Sequence, residues 1–434
     1  MLVFISDLHF VDETAGKHNI PARAFKGALN DLKRYGGKPK EIKIIFLGDV
    51  FDINRTTYWL EVDESERPWG DLEKKREKIE EHANRIFDAI LTKNRETFKI
   101  FKGSLKKQFR FNVEPERIYI PGNHDRLCNL FASLRKKVRE NLGMDGGSEL
   151  FPHVYDDRDY GNLYRVLARH GHEYDPTNFE GSDTFSEEDY AQIPIGDLIT
   201  TEIVARLPYA VSKALTDILP PDSLDRLKRN LEEIENVRPY TAIFDWLFYQ
   251  AGENAPVKDK IEASLQAIID QFNHLKYLRR WYKRHDKWNL LTLDDADKLQ
   301  TALRMLQFLG LEWAEGLMKI YTKVFGSPDG LPVDGSDRTL MEKAKEFLSH
   351  QSEYRYCILG HTHNPMQVPV RITSRGIEQM YLNTGTWRAK HMKGLIGGFI
   401  TLKNLTYTLI YSQEENPNQE FESWTGSLKE VAGR

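Results

Sequence analysis

At 434 residues, with 40% hydrophobic and 29% charged side chains, the chain is long enough for roughly two or three domains around a large buried core. A formal net charge of −4 excludes a global basic footprint for nucleic acid, and no apolar run approaches the ~20 residues of a membrane span. Cys128 and Cys357 are too far apart for a metal-binding Cys pair or a disulfide framework, and the N-terminus shows no signal-peptide pattern, so a cytoplasmic setting is expected.

In chain order, short apolar segments bounded by polar turns predict strands at residues 2–5, 42–47, 117–120, 163–168, 356–359 and 379–382. Each of the first five runs straight into a cluster of Asp, His, Asn or Gly. Functional groups therefore gather at one edge of a sheet, where open α/β sheets bind ligands. Segments 395–402 and 405–411 flank Lys403 and Asn404 and predict a closing hairpin. Between the strands, residues 56–116 read as a helical insertion, with an apolar stripe through Leu72, Ile79, Ala83, Ile86, Phe87 and Ile90. Residues 176–350 read as a larger helical subdomain, with helical periodicity at 224–234, 261–281 and 296–324 behind a polar linker at 177–189. The predicted layout is a core at 1–175 and 351–412, the insertion at 176–350, and a loosely ordered tail at 413–434.

Five strand-end clusters carry the chemistry. Asp7-Leu8-His9 can converge two ligand side chains on one ion. Gly48-Asp49 offers a sharp turn and a carboxylate able to bridge two cations, and Asp52 can accept a hydrogen bond from a nearby histidine. In Gly122-Asn123-His124-Asp125, Asn123 offers a neutral oxygen and His124 can sit at a reaction centre, while Asn123 or Asp125 could instead cap a helix. His170-Gly171-His172 and Gly360-His361-Thr362-His363 supply imidazoles suited to borderline divalent metals.

This ordered series, Asp-x-His, Gly-Asp-x-x-Asp, Gly-Asn-His-Asp, His-Gly and Gly-His-Thr-His, resembles the calcineurin-like metallophosphoesterases over roughly residues 1–55, 117–175 and 355–412. The resemblance implies an α/β fold, a four-layer αββα sandwich with a dinuclear metal site at the strand ends. It implies that Asp7, His9, Asp49 and His363 hold one divalent ion and Asp49, Asn123, His170 and His361 the other, with Asp49 bridging. Manganese is the expected metal, with iron or zinc as alternatives.

Paired cations clamp the attacking and leaving oxygens of a phosphoester and acidify a water, so no protein nucleophile is needed. His124 is the expected general acid, oriented by Asp52. Arg55 and Arg126 are expected to hold substrate phosphate oxygens, and His172 to face the substrate or to support the metal ligands from behind. Protein phosphatases of this superfamily place an Arg where this chain has Ile53, and Arg126 sits one residue early for their third motif, which argues against that activity. The expected activity is that of a phosphodiesterase or pyrophosphohydrolase. A metal-dependent nuclease is an alternative, because residues 276–288 interleave six Lys or Arg with four aromatics, although the same pattern describes a helix with one apolar face. A non-catalytic protein-binding scaffold on the same fold is the other alternative.

Overall fold

The computed structural model describes residues 1–35, 39–158, 164–238, 242–285, 335–412, 414–416 and 421–427. It is a mixed α/β structure with two sheets. The expected helical periodicity at 296–324, the start of the strand expected at 163–168, the end of the basic and aromatic segment at 286–288 and much of the expected tail lie outside the described residues.

The first sheet runs β3(Glu116–Ile120), β2(Lys43–Leu47), β1(Leu2–Ile5), β11(Phe399–Ile410), β10(Ala389–Lys393), β6(Val237–Arg238), with β12(Phe421–Ser427) also paired to β11. The second runs β4(Val154–Asp157), β5(Val166–Arg169), β7(Tyr356–Leu359), β9(Glu378–Asn383), β8(Met366–Ile372). Parallel pairing sets Ile5 beside Phe46 and Leu47 beside Ile120, so Asp7, Asp49 and Asn123 leave adjacent strand ends together. In the second sheet Ala168 pairs with Ile358, which does the same for His170 and His361.

Alternation along the strands decides the layering. Leu2 and Phe4 of β1 pack with Val166, Ala168, Tyr356 and Ile358 of the other sheet. Val3 and Ile5 turn the opposite way, into a cluster with Phe25, Ile79, Phe87 and Phe98 of the helices Ala22–Tyr35, Leu72–Lys93 and Arg95–Lys102. Cys357 and Leu359 of β7 meet Leu340, Ala344 and Leu348 of helix Gly335–His350. Strands apolar on both faces are what a sheet covered on both sides requires. Residues 72–102 therefore form a cover for the first sheet rather than a unit apart, because their apolar stripe is spent on that sheet. Helix Gly335–His350 likewise packs on the second sheet, away from the separate apolar cluster built by residues 193–281.

Two expectations at the C-terminal end are corrected. Lys403 and Asn404 do not turn: β11 runs through them, and the hairpin is β10 with β11, closed at residues 394–398 where Gly397 and Gly398 adopt positive φ. Asn404 is instead where β11 passes from β10 to β12, pairing with Ser427. Part of the expected loose tail is thus the ordered strand β12. No helix among the described residues is long and apolar enough to cross a membrane.

Phe4 is fully buried between the sheets. Phe4→Ala is expected to lower stability by about 3–5 kcal/mol in urea unfolding; a loss below about 1 kcal/mol would contradict sheet-on-sheet packing at this ring.

Candidate metal centre

Nine non-glycine residues among those described adopt positive φ, and five of them are Asp7, His9, Asp49, His361 and His363. Such conformations cost on the order of 1–3 kcal/mol each, so they persist where the surroundings impose them. Close approach of the strand ends also dictates two glycines. A Cβ on Gly48 would lie 2.3 Å from Nδ1 of His170, and one on Gly122 would lie 2.2 Å from Oδ1 of Asp49.

The side chains so placed form two overlapping groups, Asp7, His9, Asp49 and His363, and Asp49, His170 and His361, each with ligand atoms within 4.8 Å of one another. In the first group Nε2 of His363 lies 3.2 Å from Oδ1 of Asp7 and 3.1 Å from Nε2 of His9. In the second, Nε2 of His170 lies 3.2 Å from Oδ2 of Asp49, and Nδ1 of His361 lies 3.1 Å from Oδ1 of Asn123. Buried Oδ1 of Asp7 and Nε2 of His170 have no hydrogen-bond partner. These buried His/Asp clusters are compatible with metal ions, whose ligands are such orphaned lone pairs.

Outer contacts fix which atom of each ring faces inward. Nδ1 of His170 lies 2.9 Å from the Leu47 carbonyl, so it donates there and leaves Nε2 bare. Nε2 of His361 lies 3.1 Å from Asp175, which leaves Nδ1 facing Asn123. Asn178 accepts from the Asn123 amide at 3.3 Å and donates to Asp175 at 2.7 Å, turning Oδ1 of Asn123 towards His361. Asp52 serves two rings, with Oδ1 2.9 Å from Nδ1 of His124 and Oδ2 3.3 Å from Nδ1 of His9. Asp125 caps nothing by its side chain. It accepts from the amides of Val50, Phe51 and Gly122 and so ties the second motif to the third.

Electrostatics follow from burial opposed by close charge. Burial works against the charged form of His9, yet Asp52, Asp7 and Asp49 push it up to about 9. Burial is likewise outweighed at His170, pushed up to about 9 by Asp49. Burial, with Arg238 and His9, takes His363 down to about 4 despite Asp7. His124 is held well above its usual value because Asp52 and Asp49 outweigh burial. Burial and the charge of Asp49 raise Asp125 to about 6.

The structure brings together seven expected ligands and the His124–Asp52 pair, but not the three expected substrate contacts. Arg55 is buried and turned to Glu235 at 2.6 Å and to the Glu232 carbonyl. Arg126 is buried on Asp197 at 2.7 Å and on the carbonyls of Tyr190 and Pro68. His172 is buried and points away, towards His153 and Glu173. The substrate-facing role is therefore corrected for all three: Glu235 and Asp197, distant in sequence, take the arginines, and His172 lies with His153 and Glu173. Sequence reasoning missed Asp175, at the end of the first core segment, Asn178, which it left in the polar linker at 177–189, and Arg388. Arg388 sits in the loop after the strand at 379–382, a strand end without an Asp or His in its loop. It lines a cavity of about 520 Å³ over the cluster, shared with His9, Asp49, His124 and His361. Its Nη1 lies 3.4 Å from Glu235, while buried Nε and Nη2 have no hydrogen-bond partner.

No protein-family model and no curated protein matches the chain.

His9 in one ligand set and His170 in the other are both raised to about 9, so at pH 7 each cation must displace one imidazolium proton. Apparent affinity for each divalent ion is therefore expected to rise about tenfold per pH unit from pH 7 and to level off above about pH 9. Competition titrations against a chelating indicator would read this slope; a pH-independent affinity would contradict it.

Proposed function

We propose that the chain is a dinuclear-metal-dependent phosphoester hydrolase of the calcineurin-like metallophosphoesterase class, acting on a phosphodiester or a pyrophosphate linkage. The observation that carries this reading is the pair of ligand sets sharing one carboxylate, Asp49, at the strand ends of two facing sheets. One apolar cluster holding residues of both sheets, and one on the opposite face of each, supports the four-layer αββα reading.

Divalent ions bound at these two sets supply Lewis acidity and a nucleophile from water near neutral pH. The chain's own groups do the rest. Asp52 holds the proton on Nδ1 of His124 and favours the imidazolium, so Nε2 can deliver a proton to the departing oxygen. Arg388 offers Nε and Nη2 to phosphate oxygens, which would satisfy two buried donors that lack protein partners.

The cavity walls favour an organic phosphoester over a nucleic acid. Away from the histidines the helical insertion contributes aliphatic Ile199, Ile203, Leu207, Leu247 and Ile269, beside polar Thr177, Asn178, Thr200 and Glu235. Among the described residues one arginine, no lysine and one aromatic ring, Phe244, line the cavity, a poor grip for a stacked and charged strand. In helix Lys276–His285, Tyr277, Leu278 and Trp281 are buried in the insertion's own core, as a helix with one apolar face requires.

Turnover of an activated aryl phosphodiester with added manganese tests the reading. Asp49→Ala is expected to lose the metal of the two sets it joins and activity together. His124→Ala is expected to keep its metal and lose roughly 10²–10⁴-fold in kcat. Equal turnover in wild type and His124→Ala would sink the acid role, and failure on every phosphoester tried would favour a non-catalytic scaffold. Arg388→Met is expected to cost about 10–100-fold in kcat/KM with metal content unchanged.

A further inference from the structure

We infer that His153, His172 and Glu173 form a third cation site, separate from the two sets around Asp49, which clamps the loop that carries His170 and Asp175. Nε2 or Nδ1 of each imidazole and a carboxylate oxygen lie within 4.8 Å of one another. The convergent atoms are Nε2 of His153, Nδ1 of His172 and Oε2 of Glu173, and all three are buried without a hydrogen-bond partner. His153 is 4% exposed, His172 2% and the Glu173 side chain 6%.

Distances distinguish this group from an ordinary ion pair. Nε2 of His153 lies 3.3 Å from Oε2 of Glu173, yet the contact does not meet hydrogen-bond geometry, so the ring nitrogen and the oxygen do not point at each other. In a tetrahedral zinc site with bonds of about 2.0 Å, neighbouring ligand atoms stand roughly 3.3 Å apart and aim at a shared third point. Nδ1 of His172 is 4.0 Å from the same oxygen, so the second edge closes only when the ring moves inward by about 0.7 Å.

The outer contacts leave these atoms bare. Nδ1 of His153 meets the Tyr190 hydroxyl at 2.9 Å, and Arg169 donates to Oε1 of Glu173 at 3.0 Å. Each partner therefore occupies the atom that does not converge, as outer partners of metal ligands do. Phe185 stacks on His153 at 3.7 Å between centroids and Phe179 stands edge-on to His172 at 5.4 Å, so aromatic rings cover the group. Two imidazoles and one carboxylate suit zinc or a similar borderline cation.

The site ties two strands together at one end of their ladder. His153 immediately precedes β4 and His172 follows β5, and Val154 pairs with Arg169. Beyond Glu173 the chain reaches Asp175, the outer partner of His361. A cation here braces that partner without touching the cavity over Asp49.

Metal analysis of the full chain, loaded with zinc chloride and dialysed, tests the site. His153→Ala and Glu173→Gln are each expected to hold one equivalent less than wild type, with helix and strand content unchanged by circular dichroism. Asp49→Ala, which removes the shared carboxylate of the other sets, is expected to retain one equivalent. With cobalt in place of zinc, Asp49→Ala should keep a tetrahedral visible absorption that the double variant Asp49→Ala/Glu173→Gln lacks. Folded His153→Ala and Glu173→Gln proteins that bind as much metal as wild type would overturn the third site. Loss of binding confined to Asp49→Ala would leave the dinuclear reading standing and overturn this one.

Discussion

Asp49 is the constraint from which the rest of the centre follows. Its carboxylate is buried at the end of β2, with Oδ2 3.6 Å from Nε2 of His9 and 3.2 Å from Nε2 of His170, while Oδ1 accepts the His124 amide at 2.9 Å. Burial opposes its charge, but His170, His124 and His9 hold the carboxyl well below its usual range. A carboxylate kept ionised in that position must have cations or imidazolium groups about it, and His9, His124 and His170 stand there. The same demand explains the left-handed backbone at Asp49 and the glycine at 122, where any side chain would strike its oxygen. Strain at five residues of one cluster is then the cost of aiming side chains from several strand ends at shared points, offset by packing elsewhere.

That packing is the second link. Strict alternation in β1, β2 and β7 commits one face of each strand to the other sheet and the opposite face to helices, so the strand ends are fixed by two cores at once. A one-residue slip of β1 against β2 would exchange Phe4 for Ile5 between the sheets and move Asp7 away from Asp49. The register that buries the apolar side chains is thus the same one that assembles the ligands.

The ligands were legible in the sequence because their positions depend on local order: a run of β-branched and aromatic residues ends, and the next polar side chain must leave the strand end. The arginines were not, because a long side chain goes where its charge is best met. Arg55 and Arg126 stand beside the second and third motifs, yet Glu235 and Asp197, distant in sequence, take their guanidinium groups into buried ion pairs. Breaking either pair would leave a buried charge unpartnered, so these residues weld the insertion to the core and are unavailable for a substrate. Asp175 and Asn178 escaped notice for a related reason: in a polar stretch nothing local separates a linker from an outer contact to His361. At the C-terminal end, Lys403 and Asn404 look like a turn by composition, but β11 changes partner there and its polar residues face solvent on a strand that continues.

Those welds also bear on the cavity. Residues 193–281 build their own apolar core, and Trp69 from the first helical segment is part of it, so the insertion is anchored by both packing and buried charge. Anchored in this way, its helices present Ile199, Ile203, Leu207 and Leu247 to a space whose floor is the histidine cluster. Aliphatic side chains facing an open cavity forgo dispersion contacts that a filled core would give them, and an apolar group entering the space would restore them. Placing that wall on an element distinct from the ligand-bearing strands separates two tasks. The strand ends hold the charged centre, and the helices can alter what enters without disturbing the register that assembles it.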